Sequence, residues 1–148
     1  MLNFAEHKQT LLQNMADNSV AIIPSAKLQV RNRDAEFPFR QDSDFFYLTG
    51  FTEDNAVLVL VKKEGKSESL LFCQPKIKEM EIWTGFRLGP DAAIESLGVN
   101  QAFAIDALHT RLPELMANCE NVYAHWGAYK QWDEEIIEAI EKVKQKVR

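Results

Sequence analysis

Residues 3 to 16 place Phe4, Leu11, Leu12 and Met15 at helical spacings among charged and amide side chains, which predicts an amphipathic first helix. Asp17, Asn18 and Ser19 break that period, and Val20 to Pro24 is a short apolar, β-branched run closed by proline, as expected of a buried strand. Residues 25 to 41 have no clean period and predict an ordered but irregular connection. Asp42 or Ser43 is placed to cap a short helix through Phe45, Phe46, Tyr47 and Leu48, with Gly50 placed to end it and the aromatics expected on the sheet. Ala56 to Val61 and Glu68 to Cys73 form the clearest hairpin, joined across KKEGKS.

Beyond the hairpin, Ile77, Met80 and Trp83 recur every third residue ahead of Gly85 and Gly89, predicting a short helix that runs into a loop. Asp91 is expected to cap a helix through Ala92, Ala93, Ile94 and Leu97, ended by Gly98. Phe103 to Ile105 is expected to be a strand. Thr110 is then expected to cap a helix with Pro113 near its start, leaving Leu112, Leu115 and Met116 to pack. Val122 and Tyr123 give a last strand, and Trp132, Ile136, Ile137, Ile140 and Val143 give the longest amphipathic helix, from Tyr129 onward. Strands separated by helices, with one hairpin, imply an α/β domain with a mixed sheet covered on both faces.

Composition changes this picture little. A chain of 148 residues with 46% hydrophobic and 26% charged residues is expected to form one domain with one core, without metal or disulfide staples. Its net charge of −5 argues against nucleic acid or an anionic membrane as a partner. Lys142, Lys144, Lys146 and Arg148 follow Glu134, Glu135, Glu138 and Glu141, an order that suits the two ends of a helix. Cys73 and Cys119 have no ligand spacing and read as buried thiols. No stretch has the length or apolarity of a signal peptide or a membrane span, so a cytoplasmic setting is expected.

A catalytic constellation is not legible. His7, His109 and His125 lie in separate elements without metal-ligand spacing, so surface or capping roles are expected of them. Asp42 and Asp44 read as helix-capping carboxylates, and no nucleophile elbow or phosphate loop is present. Two segments stand out: Arg31 to Gln41, which packs both signs of charge around Phe37, Pro38 and Phe39, and EIWTGFRLG, Glu81 to Gly89. From composition alone, the first reads as a salt-bridged loop and the second as carrying a core tryptophan.

The string FPFRQDSDFFYLTGF, Phe37 to Phe51, closely resembles the signature of the N-terminal domain of aminopeptidase P. It is followed in family order by NAVLVLV, by EIWTGFRLG and by a GPDAA helix start, so the resemblance covers nearly the whole chain. Phe46 departs from the pattern, since family members often carry tryptophan there; exchange between aromatics of different volume is a tolerated change. The resemblance implies a fold of the creatinase and aminopeptidase P N-terminal type, with residues 1–148 as that domain. It also implies a separate catalytic pita-bread domain, for which these residues hold no counterpart. That domain would hydrolyse the bond between an N-terminal residue and a following proline with two divalent metal ions, commonly manganese.

No cofactor and no metal ligand is expected within the 148 residues, and no catalytic residue is assigned to them. The implied partners are the catalytic domain, further copies in a dimer or tetramer, and a proline-containing peptide. Trp83 matches a family tryptophan that reaches toward a neighbouring subunit's active site, and Asp34 an acidic residue that joins a hydrogen-bond network with the catalytic domain. The alternative is a stand-alone binding module, because the same architecture serves creatinase, prolidase and a histone-chaperone subunit without common chemistry.

Overall fold

The computed structural model describes residues 3–26, 30–31, 35–36 and 40–146. Its elements in chain order are α1 (Phe4–Asn14), β1 (Ser19–Pro24), β2 (Val30–Arg31), β3 (Ala35–Glu36), α2 (Ser43–Thr49), β4 (Val57–Lys63), β5 (Lys66–Cys73), α3 (Lys78–Thr84), α4 (Pro90–Leu97), β6 (Gln101–Ala104), α5 (Leu108–Met116), β7 (Asn121–Ala124) and α6 (Lys130–Lys146). A 3₁₀ turn, Ile105–Ala107, leads into α5.

Five strands form one sheet in the order β6-β5-β4-β1-β7, and β2 and β3 form a separate antiparallel pair. The three central strands are antiparallel neighbours, while β6 lies parallel to β5 and β7 parallel to β1. The sheet is therefore mixed, with helices on both faces, as the sequence predicts. Period-two alternation divides the apolar side chains between two cores, one on each face of the sheet, where composition predicts one. Ala21, Leu58, Leu60, Leu71 and Cys73 face α1, α2 and α4, whereas Val20, Ile22, Val57, Val59, Leu70 and Phe72 face α5 and α6. Burial on both sides explains why these strands read as continuous apolar runs.

Local chemistry fixes several ends. The hairpin is longer than predicted and turns at Glu64–Gly65, both in the left-handed region that a two-residue turn requires. Asp42 caps α2, its Oδ1 accepting from the Phe45 N–H at 2.9 Å, and Gly50 closes the helix in the left-handed region. A Cβ on Gly50 would stand 2.5 Å from the Phe4 ring, so α1 docks on this turn through the missing side chain.

Four helices end without a basic residue in their own last turn and take one from elsewhere. Lys62 Nζ donates to Leu12 O and Met15 O at the end of α1, at 2.8 and 3.0 Å. Buried Lys8 donates to Leu48 O of α2 and Leu97 O of α4, at 3.2 and 3.3 Å. Lys63 Nζ reaches Ala117 O after α5 at 3.0 Å. Each ammonium satisfies orphan carbonyls and meets the negative end of a helix dipole. Burial holds the Lys8 ammonium below the ordinary lysine range.

Five further expectations are corrected. Asp91 does not cap α4: Gly89 is the cap residue, Pro90 takes the first position, and Asp91 sits within the first turn. Thr110 does not begin α5, which starts at Leu108 out of the 3₁₀ turn, so Pro113 lies inside the helix. Ile105 belongs to that turn and not to β6. Of the α2 aromatics only Phe45 is buried among core side chains; Phe46 meets the edge of Phe4, and Tyr47 stacks on His7 at a centroid distance of 3.7 Å. Cys73 is buried as expected, but Cys119 is only partly so.

Candidate functional site

Four of the five sheet strands, β1, β5, β6 and β7, run in one direction and β4 runs against them. Their carboxyl ends, together with the start of β4, therefore share one edge of the sheet. Segments leaving the carboxyl ends of such strands are the usual carriers of sites in open α/β sheets. From this edge emerge the connection after β1, the turn before β4, the excursion from β5 to α4, and the turn between β7 and α6.

One amide joins the two ends of the connection after β1. Gln41 Oε1 accepts from Ala26 N–H and Asp42 N–H, each at 2.9 Å, and its Nε2 donates to Phe51 O at 3.2 Å and Glu53 O at 2.8 Å. All four bonding positions of one side chain are thus used to hold three loops in register. Asp42 adds a second tie: its Oδ2 accepts from the Tyr129 hydroxyl at 2.7 Å, joining α2 to the turn before α6. Burial first, then this bond to the carboxylate, pushes the Tyr129 hydroxyl up to about 12. Asp34 and the Phe37 to Phe39 cluster lie outside the described residues.

The excursion after β5 is held at both feet. On the outgoing limb, Gln74 Nε2 donates to Asp54 O and Asp54 Oδ1 at 2.9 and 3.0 Å, and Gln74 Oε1 accepts from Arg87 Nε at 3.0 Å. Lys76 Nζ donates to Glu81 Oε1 at 2.7 Å and Arg87 O at 3.2 Å, with its ammonium 4.4 Å from the centre of the Phe86 ring. On the return limb, Glu53 Oε2 accepts from Leu88 N–H at 2.8 Å. Gly89, at φ 82° and ψ 157°, occupies a region that only glycine adopts readily, and a Cβ there would stand 2.8 Å from Lys76 Cβ. The two limbs thus close on each other at a glycine.

Between these feet α3 projects with its apolar side chains in solvent. Trp83 and Ile82 are each 83% exposed and Phe86 68%, with Ile77 and Met80 also exposed. Trp83 is therefore not a core tryptophan; Trp132 of α6 fills that role. The three-residue spacing of Ile77, Met80 and Trp83 does mark a helix, but its stripe faces outward. Clustered exposed aromatics of this size are uncommon on a lone soluble domain and mark contact surfaces.

The histidines remain apart. His7 Nδ1 lies 2.6 Å from Tyr47 O, His109 lies beside Lys142 and Glu135, and His125 Nδ1 is 3.6 Å from Asp44 Oδ2. Among the described residues, no group of three or more His, Cys, Asp or Glu side chains could hold a metal ion. The described residues therefore offer no ligand set for the implied dinuclear centre. Glu53, Gln74 and Gln41 had no local signal pointing to the arm: their partners lie across loops, although Gln41 does stand within the FPFRQDSDFFYLTGF string.

Comparison with known proteins agrees with this layout. Residues 4–123 match the family described as aminopeptidase P, N-terminal domain. The chain is 40% identical over 142 residues to an Xaa-Pro aminopeptidase of Escherichia coli K12, covering 95% of this chain and 32% of that protein. It is 30% identical over 151 residues to human Xaa-Pro aminopeptidase 3, covering 95% and 30%. A solved structure of zinc-substituted E. coli aminopeptidase P in complex with product superposes with a TM-score of 0.92 at 40% identity, over 95% of this chain and 32% of that one. The chain thus spans about a third of the length of the curated relatives it matches. Sequence, fold and order of motifs together make this chain a member of the aminopeptidase P N-terminal domain family.

Proposed function

We propose that this domain serves active-site access and subunit assembly in a metal-dependent peptidase that removes the first residue from peptides with proline second. The observation that carries the reading is the α3 arm: two clamped feet and an exposed crest of Ile82, Trp83 and Phe86. An indole face held rigidly at a sheet edge can pack on the apolar surface of a proline-containing peptide or of a neighbouring subunit. The hydrolysis itself, with its two divalent ions, manganese by preference for carboxylate ligands, belongs to a separate catalytic domain. The net charge of −5 argues against a nucleic-acid backbone or an anionic membrane as the main partner. Among the described residues no helix is long and apolar enough to cross a membrane. Unpaired Cys73 and Cys119 support a reducing, cytoplasmic setting.

The test is an assay of the 148-residue chain, purified free of host peptidase, on an Xaa-Pro peptide with added manganese. No release of the first residue is expected. In an enzyme that carries this domain beside its catalytic partner, Trp83→Ala is expected to raise KM or weaken subunit association. Release by the chain alone, or an enzyme indifferent to Trp83→Ala in both respects, contradicts the proposal.

A further inference from the structure

One buried polar atom at the candidate site is left over. Glu53 uses Oε2 to accept from Leu88 N–H, but its Oε1 is buried with no hydrogen-bond partner. An unpaired buried carboxylate oxygen is costly, and loops seldom keep one without a reason. Its neighbours define the setting. Arg87 and Lys76 of the arm attract the charge and adjacent Asp54 repels it, while burial first and then the Glu53 charge push the Cys73 thiol at the end of β5 up. Burial outweighs these attractions and holds the Glu53 carboxyl above the ordinary glutamate range.

The turn bearing Glu53 is itself immobilised, because Glu53 O accepts from Gln41 Nε2 and the adjacent Asp54 accepts twice from Gln74. Asp54 grips the outgoing limb while Glu53 grips the return limb, so one two-residue stretch holds both feet of the arm. We propose that Glu53 is the positioning residue of the α3 arm: its carboxylate fixes Leu88 against the turn before β4 and so sets where Trp83 and Phe86 stand. For its bearing on function this rests on reading α3 as a contact surface; the positioning is a property of this chain alone.

Sequence separation favours the assignment. Glu53 and Leu88 are 35 residues apart, so the bond orients one loop against another and does not tighten a local turn. A charge-assisted bond to a backbone N–H is stronger than a neutral one, which gives a carboxylate an advantage over an amide or hydroxyl at this point. The energetic sign is also informative. A carboxyl whose folded pKa is raised contributes stability that is present below the unfolded value and lost as pH rises through the folded value. Ionised Glu53 therefore lowers global stability while it strengthens one local bond, the pattern expected of a group kept for geometry.

The test uses the ¹⁵N-labelled 148-residue chain, reading the Leu88 amide, the Trp83 indole N–H and the core amides of Leu58 and Leu71. Glu53→Ala is expected to speed Leu88 exchange about tenfold or more, the loss of a hydrogen bond to a charged group. It should also shift the Trp83 indole signal while leaving Leu58 and Leu71 protected. Glu53→Gln, which retains a neutral acceptor, is expected to restore only part of the Leu88 protection. In the wild type the Leu88 amide shift should titrate with a midpoint above the ordinary glutamate value of about 4.3, and this titration should vanish in Glu53→Gln. Unchanged Leu88 exchange in Glu53→Ala, equal loosening of the core amides, or a Leu88 titration that persists in Glu53→Gln would each overturn the assignment. Should Glu53→Ala fail to fold, the titration in the wild type and Glu53→Gln decides alone. Failure here leaves the peptide assay of the proposed function standing, and failure there leaves this result standing.

Discussion

The β4–β5 hairpin and the α3 arm follow one another in the chain and are both rich in apolar residues, yet they meet opposite fates. Leu58, Val59, Leu71 and Phe72 are fully buried, each lying in one of the two cores through strict alternation. Ile82, Trp83 and Phe86, only ten to fourteen residues beyond Phe72, stand in solvent. The hairpin is held by its side chains, whereas the arm is held at its feet, by polar clamps and by Leu88 packed against one core, and Ile82, Trp83 and Phe86 belong to neither core. Apolar content alone does not make a core: Ile82, Trp83 and Phe86 stay in solvent in spite of it.

Three substitutions sharpen that contrast by the size of their cost in chemical denaturation. Phe72→Ala, which empties a fully buried site and removes the stacking on Phe103, is expected to cost about 3–5 kcal/mol. Gly89→Ala forces a side chain into a conformation suited to glycine and against Lys76, at an expected cost of about 1–3 kcal/mol, with movement of the arm. Trp83→Ala removes a large aromatic but no core contact, and a change within about 0.5 kcal/mol is expected. A Trp83→Ala cost near that of Phe72→Ala would break the comparison, because it would place the arm in the core.

Much of the fold was legible because the hairpin, β1 and α6 carry their own periodicity and end signals. Asp42 and Gly50 likewise act on residues three or four positions away. The misread ends share a cause: Asp91 and Thr110 have the right chemistry for a cap but sit inside helices started by Gly89–Pro90 and by the 3₁₀ turn after β6. For the aromatics of α2, helical spacing did not tell which neighbour each would meet. The candidate site was half legible. Trp83 was singled out through the family motif, which implied that it reaches outward, whereas composition alone read it as a core tryptophan, since a three-residue stripe reads the same facing a core or facing water. Glu53, Lys8, Lys62 and Lys63 act on backbone atoms 35 to 89 residues away, and no local pattern encodes such partners.

The central claim is that α3 stands outside the core as a presented surface. The most direct measurement is the paramagnetic broadening of the three indole N–H signals by a neutral, soluble gadolinium chelate. Trp83, Trp126 and Trp132 are 83%, 46% and 7% exposed, so broadening is expected to fall in that order. A Trp83 signal as protected as that of Trp132 would contradict the account.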